Sequence, residues 1–259
     1  MKKILIVGAG ISGLYLANLL ERNGNFDYRI IERKSKINLF DGYGIQISVN
    51  GIKLLNEIGF KETKAQEVFF PKHIKFYNSK NCRLITNIEI SKFNDNGNYY
   101  TTLKRSTLMN FLSAKIPKQK IIFKTNIDDI GYSKKLQIKL NGDLLEFDYL
   151  ALCDGVFSEN KNKVIKNNRN AQFNNSLAFR GTLKNFEQKD ISVYLGPNLH
   201  FVIYPLNQEG DYNFISVIRE NNIKKIDNKI ISIENYFKFI KSNTSLDLRK
   251  LENKSVYPI

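Results

Sequence analysis

The chain is poor in the residues that build metal and disulfide sites. Its 259 residues include two cysteines and two histidines. Cys82 and Cys153 fall in separate strand-like segments and no C-x-x-C occurs, which argues against a disulfide framework and for a reduced, cytoplasmic protein. His73 and His200 are far apart, so a zinc-type ligand set has no members. No apolar run approaches the ~20 residues that cross a bilayer. Acidic residues are also in deficit, 25 against 40 basic ones, for a net charge of +15. The lysines are scattered among many Asn and Ile residues, with Arg33-Lys34-Ser35-Lys36 the densest cluster. No helix-turn-helix, zinc-finger or RRM-like motif accompanies them. The charge therefore reads as solvated surface rather than a nucleic-acid stripe, and it favours anionic small molecules.

The informative stretch is the first thirty-three residues. Lys3 to Val7 is a short apolar run with the character of a buried parallel strand. It enters Gly8-Ala9-Gly10-Ile11-Ser12-Gly13, a G-x-G-x-x-G turn. A helical pattern follows (Ile11, Leu14, Tyr15, Ala17, Leu19, Leu20), which Asn23-Gly24-Asn25 stops. A second strand, Tyr28 to Ile31, ends on Glu32. Strand, turn, helix, strand and acid stand in the register of a dinucleotide-binding β-α-β unit. The helix start offers free N–H groups and a positive dipole end to phosphates. Glu32 is placed to accept hydrogen bonds from a ribose, and its charge would repel a 2′-phosphate, so the unit fits FAD or NAD rather than NADP. Met1-Lys2-Lys3 and the apolar run imitate a secretory signal, but three glycines interrupt it and no small-x-small cleavage site follows.

Further along, Asn50 to Ile58 reads as a short helix closed by Gly59, and Glu67 to Tyr77 and Arg83 to Ile90 as strands. Ser106 is the expected N-cap of a helix over Thr107 to Ile116, ended by Pro117. Ile121 to Phe123 is expected as a buried strand. Asn141-Gly142-Asp143 marks a hairpin between Lys135–Leu140 and Leu144–Phe147. Tyr149 to Cys153 is another apolar run, ending on Asp154-Gly155 at the expected carboxyl edge of the parallel sheet, where open α/β folds bind ligands. A polar, basic excursion over Asn160 to Asn175 precedes strands at Leu177–Leu183, Ile191–Leu195, Phe201–Leu206 and Tyr212–Arg219. These predict an antiparallel second layer. Ile230 to Ile240 has a helical pattern.

These segments together resemble the single-component FAD-dependent aromatic-ring hydroxylases, the family of salicylate and hydroxybenzoate hydroxylases. Gly8 to Gly13 extends to G-x-G-x-x-G-x-x-x-A through Ala17. Glu32-Arg33 resembles the acid-basic pair that holds the adenosine. Gly42-Tyr43-Gly44-Ile45-Gln46-Ile47-Ser48 resembles the glycine-flanked loop near the flavin. Arg105 matches an arginine that reaches FAD, and Asp154-Gly155-Val156-Phe157-Ser158 matches a D-G-x-x-S segment. Phe179-Arg180-Gly181 and Gly196 through Pro205-Leu206 resemble substrate-domain strands.

The resemblance implies an α/β protein with a Rossmann-like FAD-binding domain and a mostly antiparallel β-sheet substrate domain. The expected division is 1–70 with 100–160 for FAD, and 71–99 with 161–259 for substrate. It implies FAD held by Gly8, Gly10, Ile11, Ser12, Gly13, Glu32, Arg33, Gly44, Arg105, Asp154 and Gly155. It also implies NAD(P)H as donor, O2 as oxidant and hydroxylation of a small phenolic or benzoate-like ring. Another FAD oxidoreductase, or a non-catalytic nucleotide-binding chain, are the alternatives. His200 and Tyr204, four apart on a strand, share a face. Their His-x-x-x-Tyr-Pro spacing resembles the substrate strand of the hydroxybenzoate enzymes, with His200 as the expected base and Tyr204 as its orienting partner or a ring contact. Gln46 is a further candidate contact to substrate or flavin. Two features depart from the family. Lys161 stands where an arginine is usual, which keeps a charge but loses a bidentate fork. No G-D-A-A-H-like segment is found, so a C-terminal truncation of the FAD domain is expected.

Overall fold

The structure, a computed structural model, describes residues 1–39, 43–165, 172, 174, 176–186, 188–219 and, as backbone alone, 252–258. The early strands are β1 (Lys2–Val7), β2 (Phe26–Glu32), β3 (Gly44–Ile47), β4 (Val68–Phe69), β5 (His73–Asn78), β6 (Leu84–Glu89) and β7 (Thr101–Lys104). The middle of the chain adds β8 (Ile121–Phe123), β9 (Ile127–Tyr132), β10 (Leu136–Leu140), β11 (Asp143–Phe147) and β12 (Tyr149–Leu152). The last are β13 (Ser176–Lys184), β14 (Ile191–Leu195), β15 (Leu199–Pro205), β16 (Asp211–Arg219) and β17 (Glu252–Pro258). The helices are α1 (Ile11–Asn23), α2 (Val49–Glu57), α3 (Arg105–Ala114) and the short α4 (Asn160–Val164). The helix expected over Ile230–Ile240 lies outside the described residues, as does Gly42.

Two compact units form, residues 1–41 with 106–172 and residues 42–105 with 173–259. The chain thus changes unit near 41 and 105 rather than near 70 and 100. The reason is pairing: β3 and β4 both hydrogen-bond to β7, which keeps 42–70 with the second unit.

In the first unit a parallel sheet runs β12-β1-β2-β8. Side chains alternate along β1, as strand geometry demands. Leu5 and Val7 join Ile31, Ile127, Ile138, Leu140 and Phe147 in a core under the three-stranded sheet β11-β10-β9. Ile6 points the other way, toward Gly13 of α1. Helix α1 buries Leu14, Ala17 and Leu20, and Gly24 ends it in a left-handed conformation, φ 72°. Asn18 is polar but buried. Its amide donates to the carbonyls of Leu14 and of Leu112 on α3, 2.8 Å each, stapling the two helices. The β10–β11 turn has φ 48° at Asn141 and 93° at Gly142, the two positive values that a type I′ hairpin requires.

Two local expectations need correction. Ser106 lies inside α3, which begins one residue earlier, at Arg105. The strand expected over Glu67–Tyr77 is two. Pro71, which has no N–H to give a ladder, separates β4 from β5.

The second unit is built on a seven-stranded sheet, β17-β13-β16-β15-β14-β5-β6, antiparallel except where β14 meets β5. One face carries Phe179, Tyr194, Leu199, Phe201, Ile203 and Phe214. The other packs Tyr204 and Leu206 on Ile90 and Ile191. The loop before β14 is tied to β5 by Asp190. Its carboxylate accepts from the backbone N–H groups of Lys72 and His73 at 3.2 and 3.0 Å and lies 2.8 Å from Lys75 Nζ. Burial alone would raise the carboxyl. The Lys75 ammonium, the His73 N–H and their positive field together hold it below the ordinary carboxylate range.

A lowered folded-state pKa stabilises at pH values above the unfolded one, about 3.9. That contribution disappears as pH falls through the folded value. Asp190→Asn is therefore expected to cost about 1–3 kcal/mol at neutral pH and nothing below the folded pKa. Urea titrations at the two pH values check this. A penalty that does not shrink in acid would contradict it.

Candidate functional site

The first-unit site is assembled at the carboxyl edge of the parallel sheet. Gly8 follows β1 with φ 100°, and its N–H donates to Ile31 C=O at 2.8 Å. A Cβ there would stand 2.6 Å from the Cys153 carbonyl oxygen and 3.1 Å from Asp154 Cα. The glycine turn and the Asp154-Gly155 turn therefore touch backbone to backbone, which no side chain at position 8 would permit. Gly13 is equally confined, with a Cβ falling 2.0 Å from the Gly8 carbonyl oxygen. Gly10 is different. Its φ of −84° is open to any residue, and a Cβ there would meet nothing within 4 Å. Space is kept at Gly10 beside the start of α1. The first helical bond runs from Leu14 N–H to Gly10 C=O, so the N–H groups of Ile11, Ser12 and Gly13 precede the ladder.

Glu32 ends β2 opposite this turn. One carboxylate oxygen accepts from Ala9 N–H and the other from Lys34 N–H, both at 2.9 Å. The acid thus braces the glycine turn, and a carboxylate can still accept ribose hydroxyls on its remaining lone pairs. Arg33 is exposed beside it. Asp154 accepts from the Asn160 amide at 2.8 Å, and Gly155 takes φ 87°. Burial, then the adjacent Asp154 charge, pushes the Cys153 thiol up, so it is no ready nucleophile. Gly8, Gly10, Ile11, Ser12, Gly13, Glu32, Arg33, Asp154 and Gly155 all belong to this unit.

The remaining candidates belong to the second unit. Arg105 opens α3, and its backbone N–H donates to Tyr43 C=O at 2.8 Å. Gly44 opens β3 and donates to Asn213 Oδ1 at 2.7 Å; a Cβ there would lie 2.5–2.6 Å from Leu206 and Asn213 side chains. Packing within the unit thus already requires glycine at 44. His200 and Tyr204 share a face of β15, yet four residues of strand separate them by about 13 Å. They cannot hydrogen-bond, so Tyr204 does not orient His200. His200 is exposed, and the partial cover it has lowers its pKa. Tyr204 is buried, and burial drives its phenol far up, offset in part by Arg180 and a hydrogen bond with Gln46.

Gln46 supplies what the sequence did not reveal. Its side-chain oxygen accepts from the Tyr100 hydroxyl at 2.9 Å. Tyr100, Gln46 and Tyr204 form one hydrogen-bonded group, with Arg180 near enough to act on Tyr204. Tyr100 stood in no motif, and only the β3–β7 pairing brings it to Gln46. Among the described residues no cluster of His, Cys, Asp and Glu could hold a metal. No described helix is long and apolar enough to cross a membrane.

A family profile described as NAD(P)-binding Rossmann-like domain matches residues 6–39. An FAD-dependent monooxygenase of Gibberella zeae, dpfgE, is 27% identical over 170 residues, covering 62% of this chain and 36% of that protein. The 3-amino-4-hydroxybenzoate 2-monooxygenase of Streptomyces cremeus is 24% identical over 213 residues, covering 79% of this chain and 53% of that one. The chain thus spans between about a third and about half the length of these two relatives. Among solved structures, Klebsiella pneumoniae HpxO complexed with FAD and uric acid superposes with TM-score 0.79 at 16% identity, over all of this chain and 68% of that one. A salicylate hydroxylase substrate complex gives TM-score 0.77 at 12% identity, again over all of this chain and 68% of the other. The fold is the α/β, Rossmann-like one of FAD-binding monooxygenases, with a mostly antiparallel second sheet.

Proposed function

We propose, for a chain that is FAD-dependent aromatic-hydroxylase-like in sequence and fold, that it binds FAD on its β-α-β unit and serves the hydroxylation of a small phenolic or benzoate-like ring, with NAD(P)H as donor and O2 as oxidant. The observation that carries this reading is the space kept at Gly10 in a turn already braced by Glu32. The open space lies beside the free amides at the start of α1 and suits a diphosphate. Gly10 and the first-turn amides would hold the diphosphate, Glu32 the adenosine ribose, and Asp154-Gly155 the neighbouring part of the cofactor. FAD would supply the redox step and the activation of oxygen. The chain's own residues have the tasks of orientation and proton transfer.

Tyr204, Gln46 and Tyr100 offer a small ring a fixed set of hydroxyl and amide groups. Burial keeps both phenols protonated; the Tyr100 O–H is already given to Gln46, and its oxygen can still accept from a ring hydroxyl. The base is His200, whose lowered pKa keeps its imidazole neutral at physiological pH. A hydroxylated ring reacts better as phenolate, and a neutral imidazole can take that proton. Activity should therefore fall on the acid side, below the ordinary histidine value of about 6.5. His200→Ala is expected to lower kcat by about 100-fold or more and to erase that acid limb. Turnover with an unaltered pH profile would remove His200 from the mechanism. The broader reading is checked by the purified protein's flavin absorbance and by phenol-stimulated NAD(P)H oxidation with a hydroxylated product. A colourless protein without flavin affinity would overturn it.

A further inference from the structure

One face of the seven-stranded sheet is laid out in three successive rows. Along β15, Tyr204, Val202 and His200 point to the same side, because alternate strand residues share a face. The ladders joining β15 to β14 and β16, and β14 to β5, hold one register throughout. They set Val193, Ile215 and Phe76 in line with Val202. Cover falls from row to row. Tyr204 is 3% exposed. The four residues of the middle row are half-buried, and His200 is exposed. The face therefore runs from a closed polar end, over an apolar floor, to an open end that carries an imidazole.

The polar end has a direction. Gln46 accepts the Tyr100 proton through its amide oxygen, so its amide N–H is the end presented to Tyr204. Tyr204 then accepts from Gln46 and has its own O–H to give to an acceptor oxygen. Distance decides what can use both ends. Tyr204 and His200 stand about 13 Å apart along the strand, roughly twice the length of a phenol. A one-ring phenol can reach His200 or the Tyr204 group, and not both. Between them the aliphatic floor offers a polar substituent nothing to bond and gives an apolar one a surface to cover.

We propose that this unit takes extended phenols, with the hydroxyl at His200, a rigid apolar body over Val202, Val193, Ile215 and Phe76, and an acceptor oxygen at the far end on Tyr204. This rests on the hydroxylase reading above and narrows it from phenols in general to those with an apolar extension. Isothermal titration calorimetry of the full chain with two probes tests it. One is para-hydroxybenzoate; the other is its biphenyl homologue, which has a second phenylene between hydroxyl and carboxylate. The longer probe should bind at least about tenfold more tightly. Tyr204→Phe and His200→Ala each remove one end. Each should weaken the longer probe about fivefold or more, and para-hydroxybenzoate should respond to no more than one of them. Val202→Asp, at a half-buried position, should weaken the longer probe at least about tenfold and the shorter one by less than about twofold.

Circular dichroism verifies that each variant folds, and if Val202→Asp does not, the two end variants decide. A longer probe that binds no better than the shorter one, ignores either end variant or is indifferent to a folded Val202→Asp would overturn the proposal. Binding of neither probe would do the same. Hydroxylation of para-hydroxybenzoate with rejection of the longer probe would sink this inference and leave the hydroxylase reading standing. The longer probe held in the expected manner by a chain without flavin affinity would do the reverse.

Discussion

Gly10→Val is expected to give a folded protein that no longer retains flavin, whereas Gly13→Val is expected not to fold its amino-terminal unit. The two glycines are three residues apart in one turn and look equivalent in the motif. Their surroundings differ. At Gly13 an added Cβ would sit 2.0 Å from the Gly8 carbonyl oxygen and 3.3 Å from Ile6. Neither the strand-turn backbone nor the sheet side chain can withdraw, so the overpacking cost is about 3 kcal/mol or more. At Gly10 the backbone is conformationally ordinary and the neighbouring volume is empty. The penalty there is about 1 kcal/mol at most, the price of a poor N-cap. The branched side chain would occupy the place a diphosphate needs. Loss of that contact should weaken FAD binding about 100-fold or more, roughly 2.7 kcal/mol. Thermal melts by circular dichroism and flavin fluorescence titration separate the two effects. If Gly10→Val binds FAD like the parent, the nucleotide site is misplaced.

The second large effect belongs to the other unit. Phe201→Ala should destabilise it by about 3–5 kcal/mol, a large share of the stability of an ordinary domain. The Phe201 ring is fully buried, stacks on Tyr194 at 4.5 Å and 12°, and lies 5.9 Å from Phe214. Tyr194 in turn stacks on Tyr77 at 5.0 Å, so one ring holds together residues from β5, β14, β15 and β16. Burial of that stack also pushes the Tyr194 phenol up to about 12. His200→Ala, one residue earlier but exposed, should change stability by no more than about 0.5 kcal/mol. Urea unfolding of the two variants side by side gives the comparison. A Phe201→Ala loss near 1 kcal/mol would mean that the core is centred elsewhere.

The β-α-β unit was legible in the sequence because its constraints are local. A strand, a turn with glycine at fixed places, a helix and an acid lie within one short stretch, and each leaves its own signature. Long-range pairings were less legible. β9 has the pattern Ile-Asp-Asp-Ile-Gly-Tyr and offers little periodicity, yet it forms because β10 presents a partner. Tyr149 to Cys153 read as a continuous apolar run, but Tyr149 is exposed, at a strand that pairs on one side only among the described residues. The burial of the polar Asn18 left no mark in the sequence, because nothing in a single helix says that a second helix will offer it a carbonyl. In the site, Tyr100 was invisible for the same reason, and Gly44 was read for a cofactor when Leu206 and Asn213, beside or within the seven-stranded sheet, already forbid a side chain there. The His200–Tyr204 partnership failed on distance: a shared face is not a shared contact.

Glu32 has a consequence beyond the ribose we propose it holds. Because its two oxygens already grip the amides of Ala9 and Lys34, the loop has surrendered its conformational freedom during folding, before any nucleotide arrives. Capture then resembles a key entering a finished lock, and little of the ligand's binding energy is consumed in shaping the receptor.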